Sequence, residues 1–153
     1  MGGLRRSCLQ LKLYEIYLEY LYDFIKAMNT RKQKYFALHF MVRLTHHWSY
    51  NPGLVDPLVT KLFEKLFDQN LMSDTILVFF SDHGQRKGPA RDTLTGKYEE
   101  RLPFMHIYVP EKWRNKNLTI NQNRLTSHFD IHATLKHLVR GMSVLSDGHK
   151  THS

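Results

Sequence analysis

Apolar residues recur at steps of three or four positions in three stretches of this chain. The stretches run from Leu9 to Met28, from Leu54 to Gln69 and from Thr126 to Val139. Because an α-helix turns once in about 3.6 residues, this spacing gathers the apolar side chains on one face. It therefore predicts three amphipathic helices, the last of them capped by Ser127 or Asp130.

Three shorter runs are apolar at almost every position. They are Tyr35 to Val42, Thr75 to Phe80 and Phe104 to Val109, the last closed by Pro110. Continuous apolar runs of this length are typical of strands that are buried on both faces, as in parallel sheets. With residues 81–101 predicted as a loop, the order of elements predicts an α/β domain, in which helices flank a mostly parallel sheet.

Composition narrows the class of protein without choosing a function. With 153 residues, 42% of them hydrophobic, the chain can bury one ordinary core. A formal net charge of +8 suits an acidic partner, such as an anionic glycan, a phosphate ester or nucleic acid. The Lys and Arg residues are scattered and form no nucleic-acid-binding motif, so specific nucleic-acid binding is not expected.

Cysteine usage and hydropathy exclude several further classes. Cys8 is the only cysteine, which excludes an internal disulfide framework and a thiolate zinc site. No stretch reaches the roughly 20 apolar residues that a membrane helix requires, and no signal peptide is visible. The tripeptide Asn117-Leu118-Thr119 is a glycan acceptor if the protein enters the secretory pathway.

The residues Ser81-Asp82-His83-Gly84 directly follow the second predicted strand. In open α/β sheets, ligands bind beyond the carboxyl ends of strands. An adjacent carboxylate and imidazole can face one cation where a glycine allows a sharp turn. Asp82 and His83 are therefore candidate metal ligands. The alternative interpretation is that Asp82 caps a turn and His83 is an exposed loop residue.

Two other candidates lie near the predicted strands. Lys97 could present its charge to an oxyanion of sulfate or phosphate, or it could form a solvated ion pair with Glu99 or Glu100. His46 follows the first predicted strand and could act on a transferred group or a leaving group. A structural role for His46 stays open, and its neighbour His47 fits the same position.

Two histidines lie at the start of the last predicted helix. His128 and His132 are candidates for partners of a helix cap, for groups that support a metal site, or for metal ligands. A structural role is the favoured interpretation, because a histidine in such a position is more often structural.

Four segments together resemble a known family: KYFALHF with LTHHWSYNPG, DTILVFFSDHG, GKYEERLPFMHIYVP and TSHFDIHATLKHL. In this order they resemble the DUF229 family, a sulfatase-like branch of the alkaline phosphatase and sulfatase superfamily. The resemblance runs from about Tyr20 to Leu138. It implies that residues 9–140 are the C-terminal half of a sulfatase-like domain and residues 141–153 a polar tail. The implied fold is a partial alkaline phosphatase-like sandwich without its N-terminal part.

The resemblance also implies roles for individual residues. Asp82 and His83 match the metal-binding pair of the superfamily, Lys97 matches a lysine of sulfatase active sites, and His46 resembles the histidine that contacts substrate or leaving group. The implied cofactor is a divalent cation (Ca, Mg, Mn or Zn), held weakly because two ligands fall short of the roughly four that a stable site needs. The implied substrate is an anionic ester or glycan, and the implied location is extracellular or secretory.

The superfamily's nucleophile is not recognisable in this chain. Its members carry a metal-binding aspartate after the first strand, followed by a serine, threonine or formylglycine-forming cysteine. Cys8 is followed by Leu9-Gln10-Leu11, which lacks the C-x-P-x-R or C-x-A-x-R context. We therefore expect a sulfate- or phosphate-ester hydrolase fragment that is inactive alone. The alternative is a non-catalytic module that binds an anionic glycan or other ligand through Arg86, Lys87 and Arg91.

Overall fold

The computed structural model describes the backbone of residues 2–42, 52–86 and 88–147, and the side chains of residues 11–42, 53–86 and 88–141. The helices are α1 (Gly2–Thr30), α2 (Pro52–Asp68), α3 (Leu94–Arg101), α4 (Lys116–Asn121) and α5 (His128–Asp147). The strands are β1 (Leu77–Phe80) and β2 (Met105–Tyr108). Short 3-10 turns cover Pro89–Asp92 and Glu111–Trp113. The chain divides into two compact units, Met1–Lys112 and Trp113–Ser153.

The three helices predicted from apolar periodicity are confirmed as α1, α2 and α5. The end of α2 shows why the helix stops at Asp68. Asn70 adopts a left-handed conformation (φ 55°), its N–H donates to Phe67 O at 2.9 Å, and Leu71 N donates to Leu66 O at 2.9 Å. This arrangement satisfies carbonyls that the last helical turn leaves unpaired, and asparagine tolerates the left-handed conformation well. Within the described part of the chain, no helix combines the length and apolarity that crossing a bilayer requires.

The core of the first unit lies between α1 and α2, which run in the same direction. Contacts advance together along both helices, from Tyr14 with Val55 to Tyr22 Oη, which donates to Gln69 Oε1 at 2.7 Å. Between them apolar side chains face each other and exclude water, the main stabilising effect in the unit. The buried face of α1 carries Tyr14, Leu18, Tyr22 and Ile25, whereas Ile16, Tyr17 and Tyr20 of its apolar pattern are exposed. The larger buried cluster consists of Leu18, Tyr22, Ile25, Leu62, Leu66 and Met72.

Residues 33–42 return along α1 in an extended conformation, in the direction opposite to the helix. The Tyr35 ring packs edge-on against Phe24 with ring centroids 5.6 Å apart, and His39 lies against Tyr17 at 6.1 Å. The prediction of a strand buried on both faces was wrong. Only alternate side chains pack on the helices, and the described residues give this segment no strand partner. An apolar run alone could not show that the second face would stay open.

The predicted sheet was also wrong in extent and direction. β1 and β2 form a two-stranded antiparallel sheet in which Leu77 lies opposite Tyr108 and Phe80 opposite Met105. About 59% of the described residues are helical, so this is not a mostly parallel alkaline phosphatase-like sandwich. The second and third predicted strands are confirmed as β1 and β2, but periodicity carries no information on pairing direction. Phe79 packs against Phe63 of α2, which ties the sheet to the helical core.

The second unit contains α4 and α5, and its longer helix begins with the predicted cap. Asp130 Oδ2 accepts hydrogen bonds from Ser127 N at 2.8 Å and from Ser127 Oγ at 2.7 Å. These bonds favour the charged carboxylate and hold the pKa of Asp130 below its ordinary value. This is one half of a capping box, because the Ser127 hydroxyl donates to the Asp130 carboxylate and does not accept from a helix N–H. Of the two residues that the sequence offered as caps, Asp130 supplies the side-chain acceptor at this helix end.

The first testable prediction concerns Leu66, whose side chain is 1% exposed in the α1–α2 core. Leu66→Ala should lower the free energy of unfolding by about 2–5 kcal/mol, because it removes buried methyl groups and leaves a cavity. Urea unfolding followed by circular dichroism measures this change. The matched control is Leu94→Ala at a leucine that is 71% exposed, where a change within about 0.5 kcal/mol is expected. Equal losses in the two variants would contradict the proposed core.

Candidate functional site

The candidate site begins where β1 ends, and backbone contacts fix the point at which the chain leaves the sheet. Ser81 N donates to Phe104 O at 3.1 Å, and Phe104 N donates to Ser81 Oγ at 3.2 Å. These bonds extend the pairing of β1 with β2 beyond the strand ends. Asp82 and His83, the predicted metal ligands, follow directly from this anchored residue.

The carboxylate of Asp82 and the imidazole of His83 face each other. Asp82 Oδ1 accepts a hydrogen bond from His83 N at 2.9 Å, which turns the carboxylate back toward its neighbour. The second oxygen, Oδ2, lies 3.5 Å from His83 Nε2. Asp82 is exposed and His83 is half-buried, so the pair opens to solvent on the carboxylate side. The two side chains that the sequence singled out therefore do converge.

The second ring nitrogen of His83 contacts a backbone carbonyl. His83 Nδ1 lies 2.6 Å from the carbonyl oxygen of Gly84. A carbonyl oxygen only accepts, so this contact is a hydrogen bond when the ring carries a proton on Nδ1; in the neutral form of that ring, Nε2 is unprotonated and can bind a cation. Histidines that bind metals commonly donate their second N–H to a backbone carbonyl in this way, which orients the ring.

The pair fits one small divalent cation, but it does not complete a coordination sphere. Zinc lies about 2.0–2.2 Å from nitrogen and oxygen ligands, so two atoms 3.5 Å apart can both reach one ion. The described residues hold no cluster of three or more His, Cys, Asp or Glu side chains suited to a metal. The donor set of Asp82 and His83 therefore fits a cation as two ligands of a larger set.

Gly84 brings the end of α3 against the Asp82–His83 turn. Gly84 N donates to Glu100 O at 3.0 Å, and a Cβ at Gly84 would lie 1.6 Å from Glu99 O. Two non-bonded atoms cannot approach each other this closely. Only glycine, which has no Cβ, therefore allows the backbones to come together here. The sequence analysis assigned Gly84 to a sharp turn, but the structure shows that it serves close backbone packing.

Lys97 lies on α3 and not in a loop, which corrects the prediction for residues 81–101. Thr93 caps the helix by accepting a hydrogen bond from Gly96 N at 3.0 Å. The sequence offered this signal, since Thr93 precedes a stretch rich in helix-forming residues. The Lys97 side chain is exposed and has no ion pair within the described ranges. The solvated pair with Glu99 or Glu100 is therefore not present.

Glu100 pairs with Arg91 and not with Lys97, the partner that the sequence suggested. Its largely buried carboxylate accepts a hydrogen bond from Arg91 Nε at 3.1 Å. The bond joins the 3-10 turn to α3, while the Glu100 carbonyl holds Gly84. No local sequence signal identifies this pairing, because Arg91 and Glu100 are nine residues apart and meet only when α3 folds back.

The remaining candidates are one residue outside the described part of the chain and two residues of the second unit. His46, together with His47, is outside the described residues, so the structure does not test its predicted role. His128 and His132 belong to α5 in the second unit, and both are exposed. Of the four residues predicted for the site, the structure brings Asp82 and His83 into contact, and it attaches the helix that carries Lys97 to the adjoining glycine.

Comparison with known proteins identifies one family. A family model described as "Protein of unknown function (DUF229)" matches residues 3–152. No curated protein and no solved structure matches the chain. The match includes β1, the Asp82–His83 turn, α3 and β2 within one family region.

The second testable prediction uses the close approach at Gly84. Gly84→Ala should lower the free energy of unfolding by about 1–3 kcal/mol, because the added methyl group would overlap the backbone of α3. It should also shift the NMR signals of the His83 ring, whose Nδ1 partner is the Gly84 carbonyl. The control is Gly53→Ala in α2, where a Cβ meets nothing within 4 Å. An unchanged His83 spectrum in Gly84→Ala would contradict the described packing.

Proposed function

The chain belongs to the DUF229 family, and we propose that it is part of a sulfatase-like, metal-dependent hydrolase of sulfate or phosphate esters. It would contribute the later half of the catalytic domain and would be inactive on its own. This proposal rests on the site residues and on the sequence resemblance, and not on the overall fold. The single observation that carries it is the pairing of Asp82 and His83 at the end of β1.

Asp82 and His83 would hold the cation through Oδ2 and Nε2. His83 is suited to this role when the Gly84 carbonyl accepts a hydrogen bond from Nδ1, because Nε2 of the neutral ring is then unprotonated. A bound divalent cation would neutralise negative charge on the ester oxygens and lower the pKa of a nucleophile. Binding by this chain alone would be weak, because two ligands are too few for a stable site.

Lys97 would supply a positive charge to an ester oxygen. Its exposed ammonium group is not committed to a carboxylate among the described residues, whereas Arg91 is held by Glu100. Lysine acts as a compact point charge with three donors, which suits an anion that approaches from solvent. His46 would act as proton donor to the leaving group, the role that the resemblance implies.

The alternative function is a non-catalytic module for an anionic glycan or other ligand. It would use the basic residues Arg86, Lys87 and Arg91 and would not require Asp82. The ion pair between Arg91 and Glu100 argues against it, because that pairing reduces the positive charge available to a ligand. In such a module the Asp82 carboxylate would only hold the turn, through its hydrogen bond from His83 N. We therefore rank the hydrolase function first.

The third testable prediction is weak metal binding that depends on the Asp82–His83 pair. Isothermal titration calorimetry of the whole chain with Zn²⁺ or Mn²⁺ should show a weak metal affinity. This affinity should fall at least about 10-fold in Asp82→Ala and in His83→Ala. The control is His106→Ala, which removes an exposed histidine of β2 in the same unit and should leave this affinity unchanged.

Two results would contradict the proposal. One is metal affinity that is equal in the wild type, Asp82→Ala and His83→Ala. The other is binding of a sulfated oligosaccharide that persists in Asp82→Ala but is lost when Arg86, Lys87 and Arg91 are changed to Glu. The second result would favour the glycan-binding module, because it would show that ligand recognition does not depend on Asp82.

We also propose an extracellular or secretory location, which an accessible glycan acceptor at Asn117 would support. This residue lies in the first turn of α4, is exposed, and belongs to the acceptor tripeptide Asn117-Leu118-Thr119. As the fourth testable prediction, the chain expressed in animal cells behind a secretory leader should carry a glycan that an amidase removes. Asn117→Gln should abolish the mobility shift. A secreted wild-type chain without a glycan would remove this support for the location.

A further inference from the structure

Two histidines of α5 lie on one face of the helix, one turn apart. His128 and His132 are four residues apart, and both belong to the helix. In an α-helix, residues at this spacing are neighbours, with Cβ atoms about 5–6 Å apart. Helical side chains also lean toward the N-terminus of the helix, so a side chain at position 132 leans over the turn that carries position 128. The two imidazoles can therefore reach one common point above the helix surface.

Hydrogen bonds at the start of α5 hold the turn that carries the two histidines. Asp130 N donates to Ser127 O at 3.0 Å, and the Ser127 N–H and hydroxyl group both donate to the Asp130 carboxylate. On the other side, Thr134 Oγ1 donates to Asp130 O at 2.8 Å. The backbone is thus ordered before any ligand arrives. A ligand that joins the two rings has only their side-chain torsions to fix, which lowers the entropic cost of binding.

The surroundings of the pair suit a dissolved cation. Both histidine side chains are exposed, so an ion can reach them from solvent, and their exposure argues against the packing role that the sequence favoured. The N-terminus of a helix carries partial positive charge, which by itself opposes a cation. Asp130 lies in the same first turn, and its negative charge offsets that end of the helix dipole.

We propose that His128 and His132 bind one late transition-metal ion, Zn²⁺ or Cu²⁺, through one nitrogen of each ring. Imidazole nitrogen suits these ions, whereas carboxylate and carbonyl oxygens suit Mg²⁺, Ca²⁺ and Mn²⁺. Two histidines at this spacing on one helical face also hold zinc in known helical metal sites. The described residues add no third His, Cys, Asp or Glu to the pair. Water or further ligands would therefore complete the coordination.

This site goes beyond the proposed hydrolase function and does not rest on it. The pair of Asp82 and His83 includes a carboxylate oxygen, which Mn²⁺ accepts, whereas two imidazoles favour Zn²⁺ and Cu²⁺ over Mn²⁺. Titration with Mn²⁺ therefore reports on Asp82 and His83. Titration with Zn²⁺ in a His83→Ala background reports on α5, so the two proposals can fail separately.

The fifth testable prediction is Zn²⁺ binding by α5 in the whole chain that carries His83→Ala. In NMR spectra, Zn²⁺ should shift the ring signals of His128 and His132 together. In calorimetry, His128→Ala or His132→Ala should weaken this binding by about 100-fold, because the second ring on the same helix no longer acts at a high effective concentration. The matched control is His137→Ala, which removes an exposed histidine on a different face of α5 and should leave the affinity unchanged.

A variant with altered spacing tests whether one ion joins both rings. Phe129→His combined with His132→Ala keeps the number of histidines but places them at adjacent positions, which do not face each other on a helix. Phe129 is 85% exposed, so the change should leave the fold intact, and circular dichroism checks the helix content of every variant. This variant should bind Zn²⁺ as weakly as His132→Ala does. Full affinity in either variant, or ring signals of His128 and His132 that do not move in millimolar Zn²⁺, would overturn the proposal.

Discussion

Backbone hydrogen bonds between β1 and β2 hold the Asp82–His83 turn and α3 in place. The pairing of four residues on each strand continues through Ser81 and Phe104, and then through Gly84 N and Glu100 O. Both ends of the intervening segment are therefore anchored at the same edge. A buried amide needs a partner, so this series of bonds leaves the chain few alternative paths. The Asp82–His83 turn and α3 come together because of it.

The orientation of His83 follows from that framework. Its Nδ1 is held by the carbonyl of Gly84, and Gly84 is held by α3, so the backbone defines which nitrogen is directed toward Asp82. A carboxylate and a neutral imidazole arranged in this way can share a cation without prior rearrangement. The proposed hydrolase function depends on this local order, and it requires further ligands and a nucleophile beyond Asp82 and His83.

Two features of the first unit have groups that could bind a further partner. Asp82 and His83 offer two ligand atoms to a metal ion that needs about four. Residues 34–41 offer backbone donors and acceptors without partners among the described residues, beside exposed Phe36, Leu38 and Phe40. Exposed apolar side chains and an open strand edge favour association, because association removes apolar area from water and completes hydrogen bonds.

The sequence by itself determined the helices α1, α2 and α5, the positions of β1 and β2, the pairing of Ser127 with Asp130 at the start of α5, and the adjacency of Asp82 and His83. These features depend on local periodicity and on neighbouring residues, which a single chain displays directly. Tertiary structure alone decided that β1 and β2 pair antiparallel, that Gly84 packs on α3, that Arg91 meets Glu100, and that Phe36, Leu38 and Phe40 stay exposed. Those outcomes depend on contacts between residues far apart in the chain. Local patterns do not indicate which distant residue each one will contact.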